Sequence, residues 1–89
     1  MKRAPDVQRL LDRQQRLRTW PAKAAGRRLA LEYLAGKFEP ERHYTEREVN
    51  EVLEAWHTFG DHSLLRRALC DAGFLDRLPD GSRYWKTRR

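Results

Sequence analysis

Arg66 and Arg67, preceded one turn earlier by His62 and Ser63, are the side chains in this sequence best suited to reading another molecule. A guanidinium offers a fixed fork of donors that matches a guanine edge or a phosphate, and serine or histidine can hydrogen-bond either. All four fall in a segment, Asp61 to Ala72, in which Leu65, Ala68, Leu69 and Ala72 recur at helical spacing. His62, Ser63, Arg66, Arg67 and Asp71 then take the outward side of that helix. Arg77, Arg83 and Lys86 add cations on its C-terminal side, and Thr87-Arg88-Arg89 extends the charge. On the N-terminal side, Arg9, Arg13 and Arg16 follow i, i+4, i+7 spacing, which predicts one basic helix face able to lie on phosphate. Each assignment has a plainer alternative. Arg66 or Arg67 can pair with an acidic neighbouring helix, and the basic arm can be a solvated helix face.

Bond-making chemistry has no comparable support. There is no Gly-rich phosphate loop, no Ser/His/Asp arrangement and no His-Glu-x-x-His pair. Glu48 and Glu51 are accounted for by capping and solvation. His57, His62 and Cys70 are too irregularly spaced for a zinc finger, and Cys70 is expected as a small core filler. The expectation is therefore a protein that is not an enzyme and that uses no metal or cofactor.

The elements that must position these groups are legible over Thr45–Trp85. Thr45-Glu46-Arg47-Glu48 is a capping box, in which the Thr45 hydroxyl accepts from the Glu48 amide and the Glu48 carboxylate from the Thr45 amide. Val49, Val52, Leu53 and Trp56 then form one apolar stripe, predicting a helix over Thr45–His57. Asp61 can cap the next helix, and Gly73 stands where a helix end favours a left-handed residue. Phe74–Leu78 and Ser82–Lys86 flank Pro79-Asp80-Gly81, a hairpin signal. Upstream, Leu31, Leu34 and Phe38 predict a helix from Pro21 or Ala22 to about Phe38. Pro40 stops it, and His43-Tyr44 is long enough for one strand with Tyr44 turned inward. Helix, helix, hairpin is the order of a winged helix-turn-helix. The predicted fold is α+β, mainly α: three core helices, a small β-hairpin wing, and an extra N-terminal helix starting after Pro5-Asp6. Residues 1–20 form the arm and 21–89 the domain. Its core should contain Leu31, Leu34, Phe38, Val49, Val52, Leu53, Trp56, Leu65, Leu69 and Trp85, with Tyr84-Trp85 leaning on the first helix.

Charge narrows the partner. The 89 residues carry a net +6, with 36% charged and 39% hydrophobic residues, so a lean core sits under a heavily charged surface. Residues 1–31 hold nine Lys/Arg and two Asp/Glu, +7; residues 32–59 hold three and seven, −4; residues 60–89 hold seven and four, +3. A positive face and a negative face follow from this split. Duplex DNA is the first expected partner. A second copy of the chain or a regulatory protein, docked against the acidic helix with Glu46, Glu48, Glu51 and Glu54, is the alternative. The single cysteine fits a reducing, cytoplasmic setting. No apolar run approaches membrane-spanning length, and the first residues lack the apolar core of a signal peptide.

Several stretches together resemble a bacterial family, DUF2087: Trp20-Pro21-Ala22-Lys23, Leu31-Glu32-Tyr33-Leu34, Lys37-Phe38-Glu39-Pro40, Tyr44-Thr45-Glu46, Glu48-Val49-Asn50, Leu65-Arg66-Arg67 and Pro79-Asp80-Gly81-Ser82-Arg83-Tyr84-Trp85. The resemblance runs from about Gln14 to Lys86. Members stand alone or joined to helix-turn-helix domains, so it implies bacterial origin and a role near gene regulation, without an activity of its own. Sequence features and resemblance converge on a DNA-binding protein of bacterial transcription regulation, with a winged-helix interaction module as the alternative.

Overall fold

Capping decides where two of the three helices start. Thr45 is extended, its hydroxyl accepts from the Glu48 amide at 3.1 Å, and Glu48 returns a carboxylate oxygen to the Thr45 amide at 2.9 Å. Asp61 likewise accepts from the Leu64 amide at 3.2 Å. The computed structural model describes residues 7–87, and within it these caps open α2 (Glu46–Ala55) and α3 (His62–Asp71). α3 closes as a Schellman turn: Phe74 N–H donates to Leu69 O at 2.9 Å and Gly73 N–H to Cys70 O at 3.1 Å, with Gly73 at φ +84°.

α1 spans Ala24–Ala35, shorter at both ends than Pro21–Phe38. Trp20 to Lys23 stays outside the helix because Pro21 packs back over the first turn. A Cβ on Gly26 would lie 2.8 Å from the Pro21 Cβ, and Arg27 Nε donates to Pro21 O at 2.7 Å. Gly36 ends the helix, and Phe38 reaches the core from the following turn.

Three short strands, β1 (His43–Tyr44), β2 (Leu75–Arg77) and β3 (Tyr84–Lys86), form an antiparallel sheet of order β1-β3-β2. Register pairs Tyr44 and Arg77 with Tyr84, and His43 and Asp76 with Trp85. Because side chains alternate across a strand, Tyr44 and Tyr84 enter the core while Trp85 takes the outer face. Trp85 is therefore half-exposed, stacked on His43 with ring centroids 5.4 Å apart, and is not the core residue the sequence suggests. Val52 and Trp56 pack on the core's margin, and the other seven expected core residues are buried.

The N-terminal segment departs most from expectation. Its described part begins with one 3₁₀ turn, Val7–Leu10, and no longer helix follows. Asp12 breaks the run: its Oδ1 accepts from the amides of Gln14 (2.9 Å) and Arg16 (2.8 Å), and Gln15 goes left-handed at φ +67°. The reversed chain lays Leu17 beside the α2–α3 turn. Leu17 N–H donates to Trp56 O at 2.7 Å and Thr58 N–H to Leu17 O at 2.9 Å. Leu11 and Leu17 are both buried. Lys2, Arg3, the Pro5-Asp6 helix start, Arg88 and Arg89 lie outside the described residues.

Leu17 is thus as much a core residue as Leu69, both fully buried. Leu17→Ala and Leu69→Ala are each expected to cost about 2–5 kcal/mol, read from urea denaturation followed by tryptophan fluorescence. An unchanged midpoint for Leu17→Ala would show that the arm does not belong to the folding unit.

Candidate nucleic-acid interface

The turn joining α2 to α3 fixes how α3 is presented. Buried His57 stands at its centre: Nδ1 meets the Leu53 carbonyl, and Nε2 accepts the Asp61 amide at 2.9 Å. Those two bonds require the neutral ring with its hydrogen on Nδ1. The Phe59 ring packs edge-on at 4.7 Å. Both imidazole nitrogens are therefore committed to locking the turn.

Arg66 and Arg67 are neighbours in sequence but diverge in structure, since successive helix positions point about 100° apart. Arg66 turns toward α2, where Nη1 donates to Asn50 Oδ1 at 2.6 Å and Nη2 lies 4.0 Å from Glu46 Oε2; its side chain is only 21% exposed. Glu46 accepts in turn from the Tyr84 hydroxyl at 3.2 Å. Burial, then the Glu46 carboxylate, raises the Tyr84 phenol above its ordinary value, which keeps it a donor. Asn50, Arg66, Glu46 and Tyr84 thus brace α2, α3 and β3 together. Arg66 belongs to this brace and not to the outward set. His62 is also drawn to α2, with Nδ1 3.0 Å from Glu54 Oε2.

α3 leaves Ser63, Arg67 and Asp71 exposed, along a shallow groove of about 480 Å³ that also takes in Leu64, Arg66 and Ala68. Arg67 makes no hydrogen bond or ion pair among the described residues. A smaller cleft of about 240 Å³ separates α3 from the β2–β3 hairpin, lined by Arg66, Arg67, Cys70, Asp71, Arg77 and the Glu46–Tyr84 pair. The register places Arg77 on the same sheet face as Tyr84, so it turns toward α3. Burial pushes the Cys70 thiol up, outweighing nearby Arg77, so this cysteine is a poor nucleophile.

The remaining cations are dispersed. Arg83 is exposed beside the turn between β2 and β3, which is closed by Leu78 N–H to Arg83 O at 2.9 Å and by Asp80 Oδ1 accepting from Ser82. Lys86 lies at the other end of β3, near Glu32 of α1 and the following Gly36. Arg9 and Arg13 are exposed on the docked arm, whereas Arg16 pairs with Asp12 at 3.0 Å. The three do not share a helix face, because the Asp12 turn interrupts any helix between them. The alternative that one of the two arginines pairs with the acidic helix holds for Arg66, but the other members of the brace, Asn50 and Tyr84, do not stand out in the sequence, where Asn50 and Glu46 look like two more solvated positions. The available signal was that Asn50 falls one turn from Glu46 on the side facing α3.

A family model described as uncharacterized protein conserved in bacteria, DUF2087, matches residues 16–86. The chain belongs to that family. The match starts within two residues of where the sequence resemblance begins and ends at Lys86. No curated protein and no solved structure matches. In this DUF2087 chain, no helix among the described residues is long and apolar enough to cross a membrane.

Two outcomes follow. Arg66→Ala is expected to destabilise the fold by roughly 1–3 kcal/mol, since it leaves Asn50 and Glu46 without their donor, while Arg67→Ala stays within about 0.5 kcal/mol; equal effects in urea denaturation would contradict the split. The second is acid sensitivity of the arm. The Arg16 amide, foremost among several partners, lowers the Asp12 carboxyl below its ordinary 3.8. A carboxylate whose folded pKa is depressed stabilises fully above its unfolded value, and that contribution disappears as pH falls through the lower folded value. Protection of the Arg16 amide from hydrogen exchange, relative to its intrinsic rate at each pH, should therefore fall below about pH 4, and Asp12→Asn should remove most of that dependence.

Proposed function

We propose that this chain is a winged helix that binds duplex DNA through α3 and the wing, in bacterial transcription regulation. The observation that carries the reading is the pairing of exposed, unpartnered Ser63 and Arg67 on α3 with Arg77 and Arg83 on the adjacent hairpin. Helix-turn-helix proteins present the exposed side of such a second helix to the major groove, with its N-terminal residues at the base edges. The layout agrees: α2 and α3 meet at a locked turn, and a strand before α2 completes a three-stranded sheet with the hairpin. α2, with Glu51 and Glu54 more than half exposed, stands back from phosphate. Arg66 acts through α2 as a positioning residue, and Arg67 takes the contact that sequence spacing shares between both arginines.

The test is fluorescence anisotropy with labelled duplexes across a salt series. With roughly six phosphates neutralised, affinity should fall about 10³-fold between 50 and 200 mM salt. Arg67→Ala and Arg83→Ala should each cost about 1–3 kcal/mol and weaken two unrelated duplexes alike, as phosphate contacts do. Ser63→Ala, at the N-terminal end of α3, should act on one duplex more than the other. Absence of binding at 50 mM salt with the fold intact retires the DNA reading.

A second reading, an interaction module, draws on one feature: His62 and Arg66 are tied to α2, while Glu51 and Glu54, paired with Arg47 and His62, remain more than half exposed. A second copy would bring Arg9 and Arg13 of its arm to Glu51 and Glu54. Sedimentation at low salt separates the two, since only the interaction module predicts dimers that dissociate as salt rises without any duplex present.

A further inference from the structure

We infer that the cleft between α3 and the wing is a seat for a phosphoryl group, held between Arg67 and Arg77. Arg66, Arg67 and Arg77 line this 240 Å³ space with two carboxylates, Glu46 and Asp71, which leaves one net positive charge. The two acids are not equivalent. Glu46 already accepts from the Tyr84 hydroxyl and lies 4.0 Å from Arg66, which offsets part of its charge. Arg67 and Arg77 have no ion pair or hydrogen bond from their side chains among the described residues. Asp71, one turn beyond Arg67 on α3, is the other acid lining the cleft and opposes an incoming anion.

The hairpin turn approaches three of the residues that line this space. A Cβ built on Gly81 would lie 3.6 Å from Glu46 Oε1, 3.7 Å from Arg77 Nη1 and 3.9 Å from the Tyr84 hydroxyl. The wing turn, β2, β3 and the first turn of α2 therefore meet within a few ångströms of one point. Gly81, at φ +76°, puts no side chain of its own there. Guanidiniums approaching from two different elements suit a tetrahedral anion, whose oxygens point several ways and accept from more than one fork. Partial enclosure by Tyr84 and Cys70 lowers the local dielectric and strengthens the pairing relative to a solvated arginine. The ligand is thus of the phosphoryl class, supplied either by a nucleic-acid backbone or by a free phosphorylated molecule. This site shares Arg67 and Arg77 with the DNA reading but stands or falls apart from it.

The experiment is NMR of the arginine Nε–Hε groups in the full chain, titrated with inorganic phosphate in a low-salt buffer free of other oxyanions. Saturable shifts at Arg67 and Arg77, absent with chloride at matched ionic strength, are expected. Arg77→Gln should weaken the response at least tenfold, and Asp71→Asn should strengthen it severalfold by removing the opposing charge. No saturable shift, or a titration unaltered in both Arg67→Gln and Arg77→Gln while their backbone spectra remain native, overturns the site. A duplex that shifts the same two resonances at lower concentration assigns the phosphate to a nucleic-acid backbone. A nucleoside 5′-monophosphate that does so when the duplex does not assigns it to a free ligand, keeping the site and ending the DNA reading. A duplex that shifts Ser63 but leaves Arg77 unmoved overturns the site and keeps the DNA reading.

Discussion

A shortage of apolar side chains is the constraint on which the rest of this structure depends. Fourteen hydrophobic residues are buried among the described ones, and two of them, Leu11 and Leu17, come from the N-terminal arm. A domain of this size buries a modest fraction of its chain and is only marginally stable, so neither leucine is dispensable. The arm is therefore part of the core. Its hydrogen bonds to Trp56 and Thr58 join it to the α2–α3 turn, where His57 is also locked. The same turn sets the angle at which α3 is presented.

Charged side chains take up packing work that a richer core would give to aliphatics. Lys37 Nζ lies 3.8 Å from the centre of the Trp56 ring and 4.5 Å from that of Tyr33, and Arg42 covers Tyr44 at 4.5 Å. Arg27 and Arg28 lie over Trp20 and Phe74. Such cations shield apolar rings with their stems and gain from the ring quadrupole. The net charge of +6 consequently overstates the footprint open to an anionic partner. Many cations are engaged within the fold, and those with no partner among the described residues include Arg67 and Arg77, which meet at one cleft.

Sequence made the elements legible wherever a local rule decided the outcome. The Thr45–Glu48 box, the Asp61 cap, Gly73 and the Pro79-Asp80-Gly81 turn each follow from bonds made within a few residues. Tyr44 points inward as alternation demands. Trp85 went astray through parity: either Tyr84 or Trp85 could face the core, and only pairing with β1 fixes which one does. The arm went astray because Arg9, Arg13 and Arg16 fit a helical period, while the Asp12 side chain offers the backbone a competing set of bonds. The Arg66–Arg67 split was beyond local rules, because it depends on where Asn50 sits across the helix pair.

The acidic helix acquires a different meaning from this geometry. Read as composition, Glu46 is one more charge that would repel phosphate. In the fold it is held between a phenol that donates to it and a guanidinium near it, so much of its charge is compensated before any ligand arrives. Its orientation sets Tyr84, and Tyr84 is paired across the sheet with Arg77. Tyr84 donates to that carboxylate, and its register with Arg77 puts the two side chains on one face of the sheet. The same carboxylate lies within reach of Arg66 on α3. An acid in this position therefore orders the cations around it while leaving Arg67 and Arg77 available to an external anion.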